Sequence, residues 1–230
     1  DMMQDVLIKL TKNIKKLTVT ALFCALAFLM TFVFRFKVGF LTFDFKDAVI
    51  SVLSLLYGPV YGVISACVVA FLELISVSDT GMYGLIMNII SSATFALACG
   101  TVYKFKRTFS GAIISVVTAV VTVTAVMMVA NIFITPFYMG VGRGDVIALI
   151  PTMLLPFNLA KAIINATSLL LIYKPVTSAL KRTGLVINDG GKKFEFSKKT
   201  LIMSIVSVII LALAVAFVIF KLGGSFSFLK

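Results

Sequence analysis

The chain has 230 residues, 60% of them hydrophobic and 13% charged, with a formal net charge of +12. Apolar stretches long enough to cross a bilayer recur along it, which excludes a soluble single domain and indicates an all-α integral membrane protein. Histidine and tryptophan are both absent, so imidazole general-base, triad and His-ligated metal chemistry are excluded, and no catalytic or metal-binding set is expected.

Residues 1–16 interleave Lys9, Lys12, Lys15 and Lys16 with Val6, Leu7, Leu10 and Ile14. The segment reads either as an amphipathic helix on the cytoplasmic membrane surface or as a basic topological anchor. A first helix is expected over about 17–34. It carries Ala21 and Ala25, small residues at a spacing that lets another helix approach closely. The connection over 35–47 mixes Arg35, Lys37, Asp44, Lys46 and Asp47 with Phe36, Phe40, Phe43 and Phe45. Within it, Leu41 to Asp47 reads as a lid, with Phe43 or Phe45 over a planar ligand, or as an interfacial loop with its aromatics at headgroup depth.

A short second helix follows over about 48–56, and Tyr57-Gly58-Pro59 turns the chain. The third helix spans about 60–75 and places Glu73 near one end, in reach of Lys161 or Lys46. The fourth, about 82–103, contains Asn88 and closes on Lys104, Lys106 and Arg107. The fifth, about 112–137, carries Asn131, with Pro136 near its end. The sixth runs over about 146–173. Polar, basic composition sets in at Lys174 and leads through a linker over 181–199 to a last span within 200–222, which has no charge, amide or proline in its interior and reads as a lipid-facing anchor apart from any site. Cys24, Cys67 and Cys99 each fall inside a helix and read as small hydrophobes.

Lysine and arginine placement sets the orientation. With the N-terminus inside, the N-terminal lysines, Lys104, Lys106, Arg107 and the 174–199 region are all cytoplasmic. That asymmetry accounts for the net charge without a nucleic-acid partner. An odd number of spans then leaves the C-terminus outside.

The sixth helix holds the most informative residue. Lys161 lies within a long apolar run, flanked by Asn158 and Asn165 on roughly one helical face. An ionisable group inside a membrane segment is costly and marks a functional site by default. Lys161 and Asn158 therefore read as a polar-ligand pocket, with Asn165 a turn below as a structural neighbour. Asn131, Asn88 and Glu73 are further candidates, each of which reads equally as a helix–helix hydrogen-bonding group. No P-loop is present, so uphill transport by this chain requires a partner that supplies energy.

Four segments carry a family resemblance: Asp44-Phe-Lys-Asp47, Tyr57-Gly-Pro-Val-Tyr-Gly62, Asn131 to Pro136, and Pro156-Phe-Asn-Leu-Ala-Lys-Ala-Ile-Ile-Asn165. Together they resemble the riboflavin-specific S component of energy-coupling-factor (ECF) vitamin transporters, over about 17–180. The resemblance implies a six-helix S-component bundle that binds riboflavin as transported ligand, with no cofactor, through Asn131, Asn158 and Lys161, closed by the loop that holds Phe43 and Asp44. It implies docking through Ala21 and Ala25 onto a transmembrane coupling subunit, with two cytoplasmic ATPase subunits completing the importer in a bacterial cell membrane. The span beyond 199 is additional to that pattern. The alternatives are an S component for thiamine or biotin, and a membrane enzyme or assembly factor acting on a lipid.

Overall fold

The computed structural model describes residues 2–33, 35–185, 198–223 and 225–226. Within lipid every backbone amide must be satisfied internally, so the long apolar segments fold as helices. Six helical segments are long and apolar enough to cross a membrane among the described residues. They are α1 (Met2–Val33), α3 (Pro59–Ser76), α4 (Gly81–Phe105), α5 (Phe109–Met139), the span Arg143–Arg182, and α8 (Lys198–Lys221). The Arg143–Arg182 span consists of α6 (Arg143–Leu149), a π-helical turn over Ile150–Leu154, and α7 (Leu155–Arg182).

The remaining helix, α2 (Lys46–Tyr57), is only 12 residues long. Its residues from Lys46 to Leu55 are all buried, and it touches α1, α3, α4 and α7. A helix enclosed on every side needs no lipid-facing surface and no full bilayer length. Its end is packed tightly: a Cβ added at Gly100 of α4 would sit 3.0 Å from the Pro59 backbone. Gly58, at φ +100, makes the turn into α3. Around α2 the buried core gathers Phe23, Ile50, Leu53, Val69, Phe95 and Leu169.

Three features differ from the sequence expectation. First, the basic N-terminal segment and the first span are one unbroken helix of 32 residues. Such a helix is about 48 Å long, well beyond the about 30 Å hydrocarbon core, so its basic end projects past the membrane. Second, the connection after α1 is not a plain loop. It forms a hairpin of β1 (Phe36–Val38) and β2 (Leu41–Phe43), and β3 (Ser225–Phe226) adds to the free edge of β1. Third, the sixth span is interrupted by its π turn, where Pro151 and Pro156 each lack an N–H donor. Of the expected linker over 181–199, residues 186–197 lie outside the described residues.

Candidate functional site

A cavity of about 340 Å³ opens at the end of the bundle that the hairpin covers. That volume lies within the range of small-molecule sites. The β1–β2 tip, from Gly39 to Thr42, forms one side; Asn88 and Ser91 of α4, Met127, Asn131 and Thr135 of α5, and Phe157, Asn158 and Lys161 of α7 form the rest.

Its polar wall is a continuous relay across four elements. Lys161 Nζ donates to Asp44 Oδ2 at 3.0 Å and to the Thr42 carbonyl at 3.3 Å. Asp44 Oδ2 lies 3.6 Å from Lys46 Nζ. Lys46 donates in turn to both carboxylate oxygens of Glu73, at 2.7 and 2.6 Å. Asn88 Nδ2 closes the series on Glu73 Oε2 at 2.8 Å. A lysine in the first turn of α2 opposes the helix dipole, and the Glu73 carboxylate offsets that cost. Both lysines and both acids are buried. The two positive and two negative groups that line the cavity balance, and a third buried acid, Asp47, lies behind them and accepts from Ser92.

Asn165 holds this wall in place. Its Nδ2 donates to the carbonyls of Asp44 and Lys161, and its Oδ1 accepts from the Ala48 N–H, at 2.9 to 3.1 Å. One amide thus fastens α7 to the start of α2, the structural part expected of it. Asn131 is nearly fully buried and donates to the Met127 carbonyl while accepting from Thr135. Asn158 donates to the Leu154 carbonyl, at the end of the π turn. One acceptor remains: Asp44 Oδ1 is buried with no partner among the described residues. Burial alone would raise the Asp44 carboxyl, but the ammonium groups of Lys161 and Lys46 outweigh it and hold the carboxyl below its ordinary value.

A second charged cluster rims the mouth. Asp79, on the loop after α3, pairs with Lys37 at 2.6 Å and Arg35 at 3.5 Å. The Lys37 hydrogen bond draws its carboxyl below the ordinary value. The apolar lining includes Phe157, Met127, Phe40 and Tyr138, the last two with ring centroids 5.9 Å apart.

Of the residues singled out in the sequence, Asn131, Asn158, Lys161, Asn88, Glu73 and Asp44 all line this one cavity. Phe43 does not. It packs against Phe157 with the rings tilted by 51° and their centroids 4.2 Å apart, on the far side of the wall. Phe45 also lies outside the lining. Along a strand successive side chains point to opposite faces, so a hairpin that turns Thr42 and Asp44 inward turns Phe43 outward. Phe40, at the tip, takes the covering position instead. Glu73 pairs with Lys46 and not with Lys161. The mouth residues Arg35, Lys37 and Asp79 carried no site expectation; their signal was a charge cluster divided between two loops distant in sequence. Ala21 and Ala25 are exposed on the outer surface of α1, away from the cavity.

Residues 15–173 match the family described as the ECF transporter, substrate-specific component. The chain belongs to that family. The S component is 31% identical over 179 residues to the riboflavin transporter RibU of Staphylococcus aureus (strain TCH60), covering 73% of this chain and 93% of that protein. It is 26% identical over 173 residues to the riboflavin transporter FmnP of Bacillus subtilis (strain 168), covering 70% and 91%. Its fold is similar to a solved S component of a bacterial ECF transporter, with a TM-score of 0.63 and 29% identity over 74% of this chain and 99% of that one. The S component is therefore a multi-pass membrane protein of a transport system, and α8 lies beyond the residues the family describes.

Proposed function

We propose that this S component binds riboflavin from outside the cell and delivers it inward as the substrate-binding subunit of an ATP-driven ECF importer. The observation that carries this reading is the cavity wall: Asn131, Asn158, Lys161, Asn88 and Asp44 converge on one space, with charges that sum to zero. Such a wall suits an uncharged, oxygen-rich ligand, whose carbonyls accept from amide and ammonium donors and whose hydroxyls donate to the unpartnered Asp44 Oδ1. A flat ring system fits against Phe157, Met127 and Phe40. The names of the relatives point the same way. A flavin phosphate would add negative charge, and the mouth, with Arg35 and Lys37 against Asp79, is where one positive charge remains in excess.

The exposed stripe with Ala21 and Ala25 supports docking onto a transmembrane coupling subunit, with two cytoplasmic ATPases supplying the energy. Lysine and arginine placement supports a cytoplasmic N-terminus in a bacterial cell membrane. A titration tests the ligand: quenching of riboflavin fluorescence by the purified S component is expected to saturate at one flavin per chain. No quenching, with thiamine or biotin binding in its place, would overturn the reading.

A further inference from the structure

Helix α8 is the part that neither the site nor the family accounts for. Its outer face is wholly lipid-facing, with Leu201, Ile205, Val208, Leu213 and Phe220 exposed. Its other face is a stripe at helical spacing, Thr200, Ser207, Leu211, Ala214, Val218 and Leu222, which is buried or half-buried. Small and hydroxylic residues in this stripe let α8 approach α7 closely, and Lys174 of α7 donates to Thr200 at 2.9 Å.

The far end of the stripe reaches the binding site from behind. Val218 is 2% exposed in a cluster with Val38, Phe43, Phe157, Ala160 and Ile164, and Leu211, Ala214, Val215 and Leu222 pack against the same cluster. Phe157 is a cavity wall, Phe43 backs it, and Val218 belongs to the cluster behind both. Just past α8 the chain pairs antiparallel with β1, Phe36 opposite Phe226 and Lys37 opposite Ser225. The cap alone is a two-stranded hairpin of three-residue strands, a unit marginal in stability by itself. β3 turns it into a three-stranded sheet fastened to a membrane helix.

We propose that α8 and β3 form a strap that holds the cap over the cavity and sets the rate at which ligand passes it. This rests on the riboflavin reading for its probe, not for its geometry. The strap joins the cap by backbone hydrogen bonds and the wall by apolar packing, so it slows entry and exit together and changes affinity less than either rate. Local opening of a short sheet edge is the low-stability event that governs passage.

The test is made in the full chain. Phe36→Cys with Phe226→Cys places a disulfide across the β1–β3 pair. Oxidation is expected to slow riboflavin association and dissociation, followed by stopped-flow fluorescence, by about tenfold or more, with reduction restoring both. In a second variant, Val218→Ala is expected to speed dissociation about threefold to tenfold, while Val208→Ala on the lipid face leaves it unchanged. A disulfide that fails to form, a cross-linked protein with unchanged rates, or equal rates in the Val218 and Val208 variants would each overturn the strap. Loss of riboflavin quenching in the unmodified protein would overturn the ligand reading instead and leave the cross-link test open to the ligand that does bind.

Discussion

Two clusters in this protein share a motif and differ in setting. In each, one aspartate is shared by two cations: Asp44 by Lys161 and Lys46, and Asp79 by Lys37 and Arg35. The Asp44 side chain is 5% exposed and the Asp79 side chain 62%. At the mouth, water and salt screen the pairing, and exposed ion pairs contribute little. In the buried cluster, where Glu73 completes the pairing of Lys46, removing one partner leaves a buried charge unpaired, at a cost of about 3–5 kcal/mol. Burial, together with the second acid Glu73, separates the cluster that lines the cavity from the one that borders it.

Breaking the inner cluster is expected to give the largest effect. Lys161→Ala removes the proposed ligand donor and leaves Asp44 only the longer Lys46 pair, and riboflavin affinity measured by fluorescence titration should fall about a hundredfold or more. Glu73→Gln removes the closest carboxylate from Lys46, and should lower thermal stability in detergent by about 2–4 kcal/mol while weakening binding less than Lys161→Ala. Asn131→Ala and Asn158→Ala remove neutral hydrogen-bonding groups, and each should weaken binding about tenfold. Asp79→Asn should change affinity less than about threefold, and that change should vanish in high salt.

Acid titration sharpens the comparison further. Both aspartates are held below their ordinary value of 3.8. A depressed acid contributes stability that is complete above its unfolded value and is lost only as pH falls through the lower folded one. Riboflavin affinity should therefore stay flat through Asp44 and Asp79 from about pH 8 down to about pH 5. A fall in affinity within that window that persists in Glu73→Gln and in Asp47→Asn would show that one of these two aspartates carries a proton near neutrality.

Legibility in the sequence followed the same division. The inner cluster announced itself, because a lysine between two asparagines in an apolar run has few bland explanations, and helical spacing alone put Asn158 and Lys161 on one wall. The partner of Glu73 stayed open between Lys46 and Lys161, since that choice depends on how α2 and α7 sit beside α3. Phe43 was read toward the ligand because the hairpin was read as a loop. Charges alternating with aromatics hid a strand whose period of two assigns Thr42 and Asp44 to one face and Phe43 to the other. The last span was read as a lipid-facing anchor. Its composition is apolar on both faces, and only the packing of Val218 and the β1–β3 pairing separate the face that meets the site from the face that meets lipid.

The wide turn at Ile150–Leu154 also makes the sixth span tolerant of sequence drift. A π turn accommodates one residue more than an α-turn, so the segment before it and the segment after it keep separate phases. Insertions or deletions of one residue among relatives are expected to collect at this turn, where they leave Asn158 and Lys161 aimed as they are. The outer half, Arg143–Leu149, is then free to diversify while the inner half keeps its aim, and an alignment of S components for different vitamins is expected to show its gap at the turn.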